Sequence, residues 1–383
     1  MLYFDYCATT PLDERVAKLM VDLNGRVFGN PSSVHRFGQE ARAYVENARR
    51  QLAKSIHCEP SEIIFTGSGS EANNLALWNI LQGEKKHMVT SPVEHPSVAD
   101  TVARLKEFGI SGTMVDVDSH GLVNPADISK AIRKDETGLV TVMMANNETG
   151  TLEPVREIAE ICTEAGIWFH SDAVQALGKI PVDAKEPDIT SMSFSAHKLY
   201  GPKGVGALYL KKGVRLHPHI VGGGQEQRMR GGTENVAGIC GFALAAELAT
   251  GTLREEGVRL DMLRDLFVNS LRAEFPQVVI NGHPGEHLPG VVNITVPGIS
   301  GDALLMNLDL DGLAVSTGSA CSSGSARPSR VLKVMGIPDD LNLQSLRISF
   351  GRYTQEEDVA TLVDVLCRHM RNLSNVAQEV TAA

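Results

Sequence analysis

Along the first two thirds of the chain, short apolar runs alternate with stretches of helical period. The clearest runs are Ile63-Ile64-Phe65-Thr66, His87-Met88-Val89-Thr90, Leu139 to Met144, Ile167 to His170, Ser191 to Ser195 and Gly204 to Leu210. Their length and their β-branched and aromatic content predict strands. Ahead of the first, Ala41, Tyr44, Val45 and Ala48 fall at i, i+3, i+4 and i+7, the spacing of one helix face. Strands alternating with helices predict an α/β unit whose mostly parallel sheet is covered on both faces. The pattern changes near Thr250-Gly251-Thr252, after the continuously apolar stretch Ala237 to Ala249. Beyond it come a helical stretch (Val258 to Leu271) and strand-like runs at Val278 to Ile280 and Val291 to Val296. A last helix has the apolar face Val359, Leu362, Val363, Leu366, Met370 and Leu373. These features predict a large α/β domain over residues 15–250. A smaller α+β domain is expected from residues 1–14 and 251–383.

In open α/β sheets, ligands bind beyond the carboxyl ends of the strands. Past those ends stand Gly67-Ser68-Gly69-Ser70-Glu71, Ser91-Pro92-Val93-Glu94-His95, Ala145-Asn146-Asn147-Glu148, Ser171-Asp172-Ala173-Val174-Gln175 and Ala196-His197-Lys198. Five strands thus carry polar groups toward one edge, a coincidence that a purely structural domain does not need. Gly69 and Ser70 at a helix start suit a phosphate through backbone N–H groups, a hydroxyl and the positive end of the helix dipole. Asp172 suits a protonated ring nitrogen, and Lys198 suits Schiff-base chemistry. His95 suits proton transfer beside a flat ring. Singly, each has a plainer reading: a helix cap, a turn aspartate, a surface lysine, a loop histidine. Together they point to pyridoxal 5′-phosphate (PLP) held on Lys198.

Composition narrows the partners. Of 383 residues, 43% are hydrophobic and 21% charged, the balance of an ordinary globular protein. A net charge of −10 argues against nucleic acid or an anionic membrane as a main partner. No apolar stretch is long enough to span a bilayer. Met1-Leu2-Tyr3-Phe4-Asp5 has no basic region followed by an apolar core, so a cytoplasmic location is expected. The cysteines Cys7, Cys58, Cys162, Cys240, Cys321 and Cys367 show no metal-binding or redox spacing, and no metal site is expected. Cys321 differs from the rest. It sits in Val315-Ser316-Thr317-Gly318-Ser319-Ala320-Cys321-Ser322-Ser323-Gly324-Ser325-Ala326, where small residues predict a mobile, exposed loop (about 316–328). A thiol on such a loop suits collecting a group in one place and releasing it in another.

Several segments, in order, resemble the group I cysteine desulfurases, which are fold-type I PLP enzymes. They are Asp5-Tyr6-Cys7-Ala8-Thr9-Thr10-Pro11, Phe28-Gly29-Asn30-Pro31-Ser32-Ser33, Asn146-Asn147-Glu148, Ser193 to Gly204 around Lys198, Arg230-Gly231-Gly232-Thr233 and Ser316-Thr317-Gly318-Ser319-Ala320-Cys321. The resemblance runs from about residue 2 to Thr354 and implies a large sheet of the seven-stranded type. It implies that Lys198 bonds the cofactor and later moves the substrate Cα proton, and that His95 stacks on the ring. Asp172 is implied to pair with the pyridine nitrogen, Gln175 to meet the phenolic oxygen, and Asn147 to border the ring. Gly69, Ser70, Ser195 and His197 are implied to hold the phosphate, with Thr233 supplied by the other subunit of a homodimer. Arg347 is implied to clamp the substrate carboxylate, with Asn30 as a helper. Without the resemblance Arg347 reads as an ordinary strand residue.

The implied reaction takes sulfur from L-cysteine, leaving L-alanine and a persulfide on Cys321 for transfer to an acceptor protein. Iron–sulfur scaffolds and thiolation proteins are candidate acceptors. The chain stops soon after its last amphipathic helix, without the C-terminal extension with which longer members dock a scaffold, and this leaves the acceptor open. Ser70 stands where threonine is usual and Ala196 where glycine is frequent. The alternatives are a selenocysteine lyase, an aminotransferase on the same fold, and a non-catalytic scaffold partner. The last is weakened by the presence together of Lys198, Asp172, His95 and Cys321.

Overall fold

The computed structural model describes residues 1–317 and 327–382, with side chains as far as Ser374. Cys321 and most of its small-residue segment lie outside the described residues. In chain order the strands are β1 (Leu2–Tyr3), β2 (Ile63–Thr66), β3 (His87–Thr90), β4 (Ser111–Met114), β5 (Thr137–Thr141) and β6 (Trp168–Asp172), then β7 (Ser191–Ser195), β8 (Gly206–Leu210), β9 (Val279–Asn281), β10 (Val291–Thr295), β11 (Leu313–Ala314) and β12 (Ser345–Ser349).

Strands β2 to β8 form one seven-stranded sheet in the order β2-β8-β7-β6-β5-β3-β4. Neighbours from β4 to β7 are parallel, and β8 runs antiparallel to both β7 and β2. The mostly parallel sheet expected from the alternation is therefore present. Strands β3, β7 and β8 are buried along their whole length, as in a sheet covered on both faces. The helix Val236–Gly251 shows why the apolar stretch there has no helical period. It is buried on nearly every side, between the helices Glu14–Arg26 and Arg36–Ser55 and the sheet.

Two details differ from the sequence pattern. The apolar run Leu139 to Met144 begins late, because β5 starts at Thr137. The run's later residues still follow β6, with Val142 N–H donating to His170 O and Met144 N–H to Asp172 O. Strand β4 carries no apolar signal because it lies at the sheet edge, where its residues are exposed or half-buried.

The rest of the core forms a second cluster around β9, β10 and β12, which pair antiparallel with β10 in the centre. The helices Leu253–Glu274 and Glu356–Ala382 pack together there. The predicted face of the last helix is the buried one, with Val359, Leu362, Val363, Leu366 and Met370 inside and Leu373 partly covered. Phe4 joins this cluster, and β1 pairs in parallel with β11. No single helix among the described residues is long and apolar enough to cross a membrane.

Candidate active site

The carboxyl ends of β2, β3, β5, β6 and β7 meet around a cavity of about 260 Å³. Of the residues named from the sequence, Gly69, Ser70, His95, Asn147, Asp172, Gln175, Ser195, His197 and Lys198 line it. The helix Gly69–Leu77 begins at its wall, with the Ser68 hydroxyl accepting from Glu71 N–H at 3.0 Å. A Cβ on Gly69 would stand 2.6 Å from Val174 Cγ2 and 3.3 Å from Ser195 Cβ. Glycine lets this helix start lie against the ends of β6 and β7, so its N-terminus, Ser70 and Ser195 line the same cavity.

Lys198 ends a single 3₁₀ turn, Ala196–Lys198, directly after β7. Its Nζ donates to the carbonyls of Cys7 (2.6 Å) and Ala8 (2.8 Å). The N-terminal segment is stitched to this turn from the other side as well. Thr10 N–H and Thr10 Oγ1 both donate to His197 O at 3.0 Å, and Tyr200 N–H donates to Thr10 Oγ1 at 2.7 Å. His197 Nδ1 meets Thr9 Oγ1 at 3.1 Å. Burial, with Lys198, Lys203 and Lys179 nearby, pushes the His197 pKa down to about 4, so the ring is neutral near pH 7.

Asp172, the last residue of β6, is buried. Its Oδ1 accepts from Val174 N–H (3.0 Å) and its Oδ2 from Asn73 Nδ2 (2.7 Å). His95 caps the helix Pro96–Lys106, its Nδ1 facing Ser97 Oγ at 2.8 Å and Ser97 N–H at 3.1 Å. Burial lowers its pKa. Asp172 opposes that shift and Lys198 adds to it. Gln175 donates through Nε2 to Cys7 O (2.9 Å) and accepts from Lys179 Nζ (2.5 Å).

Arg347, in β12, approaches from the other side. Its side chain is 3% exposed, and Nη2 pairs with Asp5 Oδ1 at 2.7 Å. Nη1 donates to the carbonyl of Asn147, which lines the cavity, at 2.8 Å. Its Nε is buried with no hydrogen-bond partner among the described residues. Beside it Glu148 accepts from Ser329 Oγ at 2.5 Å, and burial pushes the Glu148 carboxyl up to about 7. Deeper, burial pushes Glu94 and Glu153 up to about 8.

Two named residues lie elsewhere in the single chain. Asn30 is exposed, with its Oδ1 accepting from Ser32 N–H at 2.9 Å. Thr233 lines a separate cavity of about 140 Å³ with Gly67 and Arg230. That segment is tied to the phosphate-side helix by the Arg230–Glu71 ion pair at 2.9 Å. Cys321 lies outside the described residues. Burial raises the thiols of Cys58 and Cys162 to about 12 and that of Cys240 to about 11, which disfavours their thiolates.

Sequence reasoning passed over Asn73, Ser97 and the N-terminal carbonyls. For Asn73 a signal existed: a polar residue among Ala72, Leu75, Ala76 and Leu77, all buried, needs partners.

Residues 2–362 match the aminotransferase class-V family. Among curated relatives, a protein of Dictyoglomus turgidum named cysteine desulfurase IscS is 45% identical, covering 98% of this chain and 96% of its own length. A solved structure named as a NifS-like protein superposes with a TM-score of 0.90 at 36% identity, over 97% of this chain and 99% of that one. A structure described as SspA in complex with cysteine gives a TM-score of 0.82 at 32% identity, over 93% and 100% of the two chains.

Proposed function

This chain belongs to the aminotransferase class-V family of PLP-dependent enzymes and is a cysteine desulfurase, and from that premise we propose that it works with PLP on Lys198 and a transfer thiol on Cys321. The observation that carries the reading is the convergence of Lys198, Asp172 and His95 on one cavity that a helix start at Gly69 also lines. The residues present suit the cofactor: an amine to bond its carbon, a carboxylate for its ring nitrogen, an imidazole for its face, and N–H and hydroxyl donors for its phosphate. When bound, PLP supplies an electrophilic carbon and a ring that draws charge away from the substrate Cα.

The chain's own groups then divide the work. The guanidinium of Arg347 binds the substrate carboxylate, and its buried Nε–H, unmatched among the described residues, supports that role. Asn30 stands as its helper from outside the single-chain cavity, and Asn147 borders the ring. Lys198 Nζ takes the Cα proton of L-cysteine and returns a proton to Cα as L-alanine forms. His95, neutral because burial lowers its pKa, exchanges protons at Nε2. Cys321 Sγ, as thiolate, bonds to the substrate sulfur as the Cβ–S bond breaks. The electron pair of that bond stays on carbon, which takes up a proton and becomes the methyl group of L-alanine. Cys321 keeps the sulfur as a persulfide for an acceptor protein of iron–sulfur cluster assembly or thiolation.

We place the enzyme in the cytoplasm as a homodimer in which Thr233 reaches the phosphate of the partner copy. Exposed Phe28, Val34, Phe37 and Val221 support a partner surface. The test is incubation of the holoenzyme with L-cysteine under reductant. Alanine and sulfide in equal amounts are expected, with a visible band that borohydride bleaches in wild type and that Lys198→Ala lacks. Pyridoxamine phosphate with a keto acid would identify an aminotransferase instead. A Cys321→Ala protein active on selenocysteine and inactive on cysteine would support the desulfurase reading.

A further inference from the structure

Asn73 is 1% exposed, on the inner face of the helix Gly69–Leu77. A buried asparagine must satisfy an amide nitrogen with two hydrogens and a carbonyl oxygen. Nδ2 meets Asp172 Oδ2 at 2.7 Å and Ser97 Oγ at 2.8 Å, and Oδ1 meets His170 Nε2 at 3.0 Å. The neighbours decide which way the amide points, because a carboxylate only accepts and the nitrogen must face it.

The direction of every bond behind it is fixed as well. Trp168 Nε1–H can only donate, and it does so to Ser191 Oγ at 2.7 Å. Asn73 Oδ1 can only accept, so His170 gives it the Nε2 hydrogen and its Nδ1 accepts from the Ser191 hydroxyl, 2.9 Å away. Burial pushes the His170 pKa down to about 3, so the ring is neutral and carries its hydrogen on Nε2, toward Asn73 Oδ1. Asn73 passes both amide hydrogens on. Ser97 Oγ, having accepted one, donates to His95 Nδ1, where Ser97 N–H donates too. The neutral His95 ring is left with its hydrogen on Nε2.

We propose that Asn73 is a positioning residue that couples the two groups facing the cofactor ring, donating to Asp172 and, through Ser97, setting the tautomer of His95. Half-buried Trp168 and buried Ser191 and His170 form the chain that orients it. The proposal rests on the reading that Asp172 and His95 serve PLP, and it assigns work to five residues which that reading leaves idle.

The test compares PLP dissociation constants with wild type at each pH. Asn73→Ala removes a hydrogen bond to a charged group and should weaken binding on the order of tenfold at both about pH 5 and about pH 8. Asn73→Asp has the same shape. At about pH 5 its carboxyl can be protonated and still donate to Asp172, and at about pH 8 it places two carboxylates together. Its ratio to wild type should therefore be near unity at the lower pH and on the order of tenfold or more at the higher. A purely structural role would not give that pH-dependent ratio. In the apoprotein, ring-nitrogen NMR of labelled histidines should find His170 and His95 protonated on Nε2, and the His170 Nε2 signal should move in Asn73→Ala. A pH-independent ratio for Asn73→Asp, or either ring protonated on Nδ1 in wild type, overturns the proposal. If wild type forms no alanine from cysteine while the ring states and the ratio hold, the reading of function fails and the coupling stands.

Discussion

The hydrogen-bond network around Asp172 and the surroundings of Arg347 in β12 differ in how their polar atoms are partnered. In the network Asp172, Asn73, His170 and Ser97 satisfy one another through bonds of fixed direction, and the histidines there are neutral because burial lowers their pKa values. Around Arg347 the groups are charged and incompletely matched. Arg347 pairs with Asp5 but keeps a buried Nε–H without a partner among the described residues, and Glu148 titrates at about 7. A fully satisfied network pre-organises a site for a group that stays. Unused donor capacity beside an ion pair is what a visiting carboxylate needs. The contrast therefore separates a resident's side from a substrate's side.

The largest effect should come from the resident's side. Lys198→Ala is expected to lose the visible band and to lower alanine formation on the order of 10⁴-fold, the upper range for a positioned acid–base group. Absorbance and product assay check both. Arg347→Ala should leave the band intact and lower kcat/KM for L-cysteine on the order of 10²-fold, mainly through KM, as expected for the loss of a charge-assisted carboxylate pair. If Arg347→Ala instead lost the cofactor, the division between the two sides would collapse.

A smaller effect concerns Glu148. As pH rises through about 7 its carboxyl ionises and competes with the substrate for Arg347. KM for L-cysteine should climb a few-fold above that pH in wild type and stay flat in Glu148→Gln, as initial rates across pH would reveal. The smallest effect is on stability. Glu94 has its folded pKa raised from 4.5 to about 8, so the folded state holds a proton that the unfolded chain releases. Its contribution is full below about 4.5 and is lost as pH rises toward 8. Glu94→Gln should thus gain in Tm relative to wild type between about pH 5 and about pH 8, by a few degrees in thermal melts.

The sequence showed the resident's side far better than the substrate's. Lys198, Asp172, His95 and Gly69 each follow a strand whose apolar run is visible, so the topology of a parallel sheet places them together. Arg347 follows no such rule. Its meeting with Asp5 joins residues 342 positions apart, and only the resemblance to known enzymes pointed to it. The N-terminal carbonyls that hold Lys198 are hidden for the same reason, being 190 and 191 positions away in sequence. Asn73 is hidden differently: it sits in a clear helix, but what matters is the direction of its amide, which only its buried neighbours decide. Strand β4 was missed because an edge strand needs no apolar run.

The central claim is that sulfur leaves L-cysteine for Cys321 while Lys198 holds the cofactor. It is met most directly by peptide mass spectrometry of the holoenzyme after brief exposure to L-cysteine without reductant. The mass of one added sulfur atom is expected on the peptide containing Cys321, matched by an equal amount of alanine and absent from Lys198→Ala. Added sulfur on another cysteine, or undiminished persulfide formation in Cys321→Ala, would contradict it.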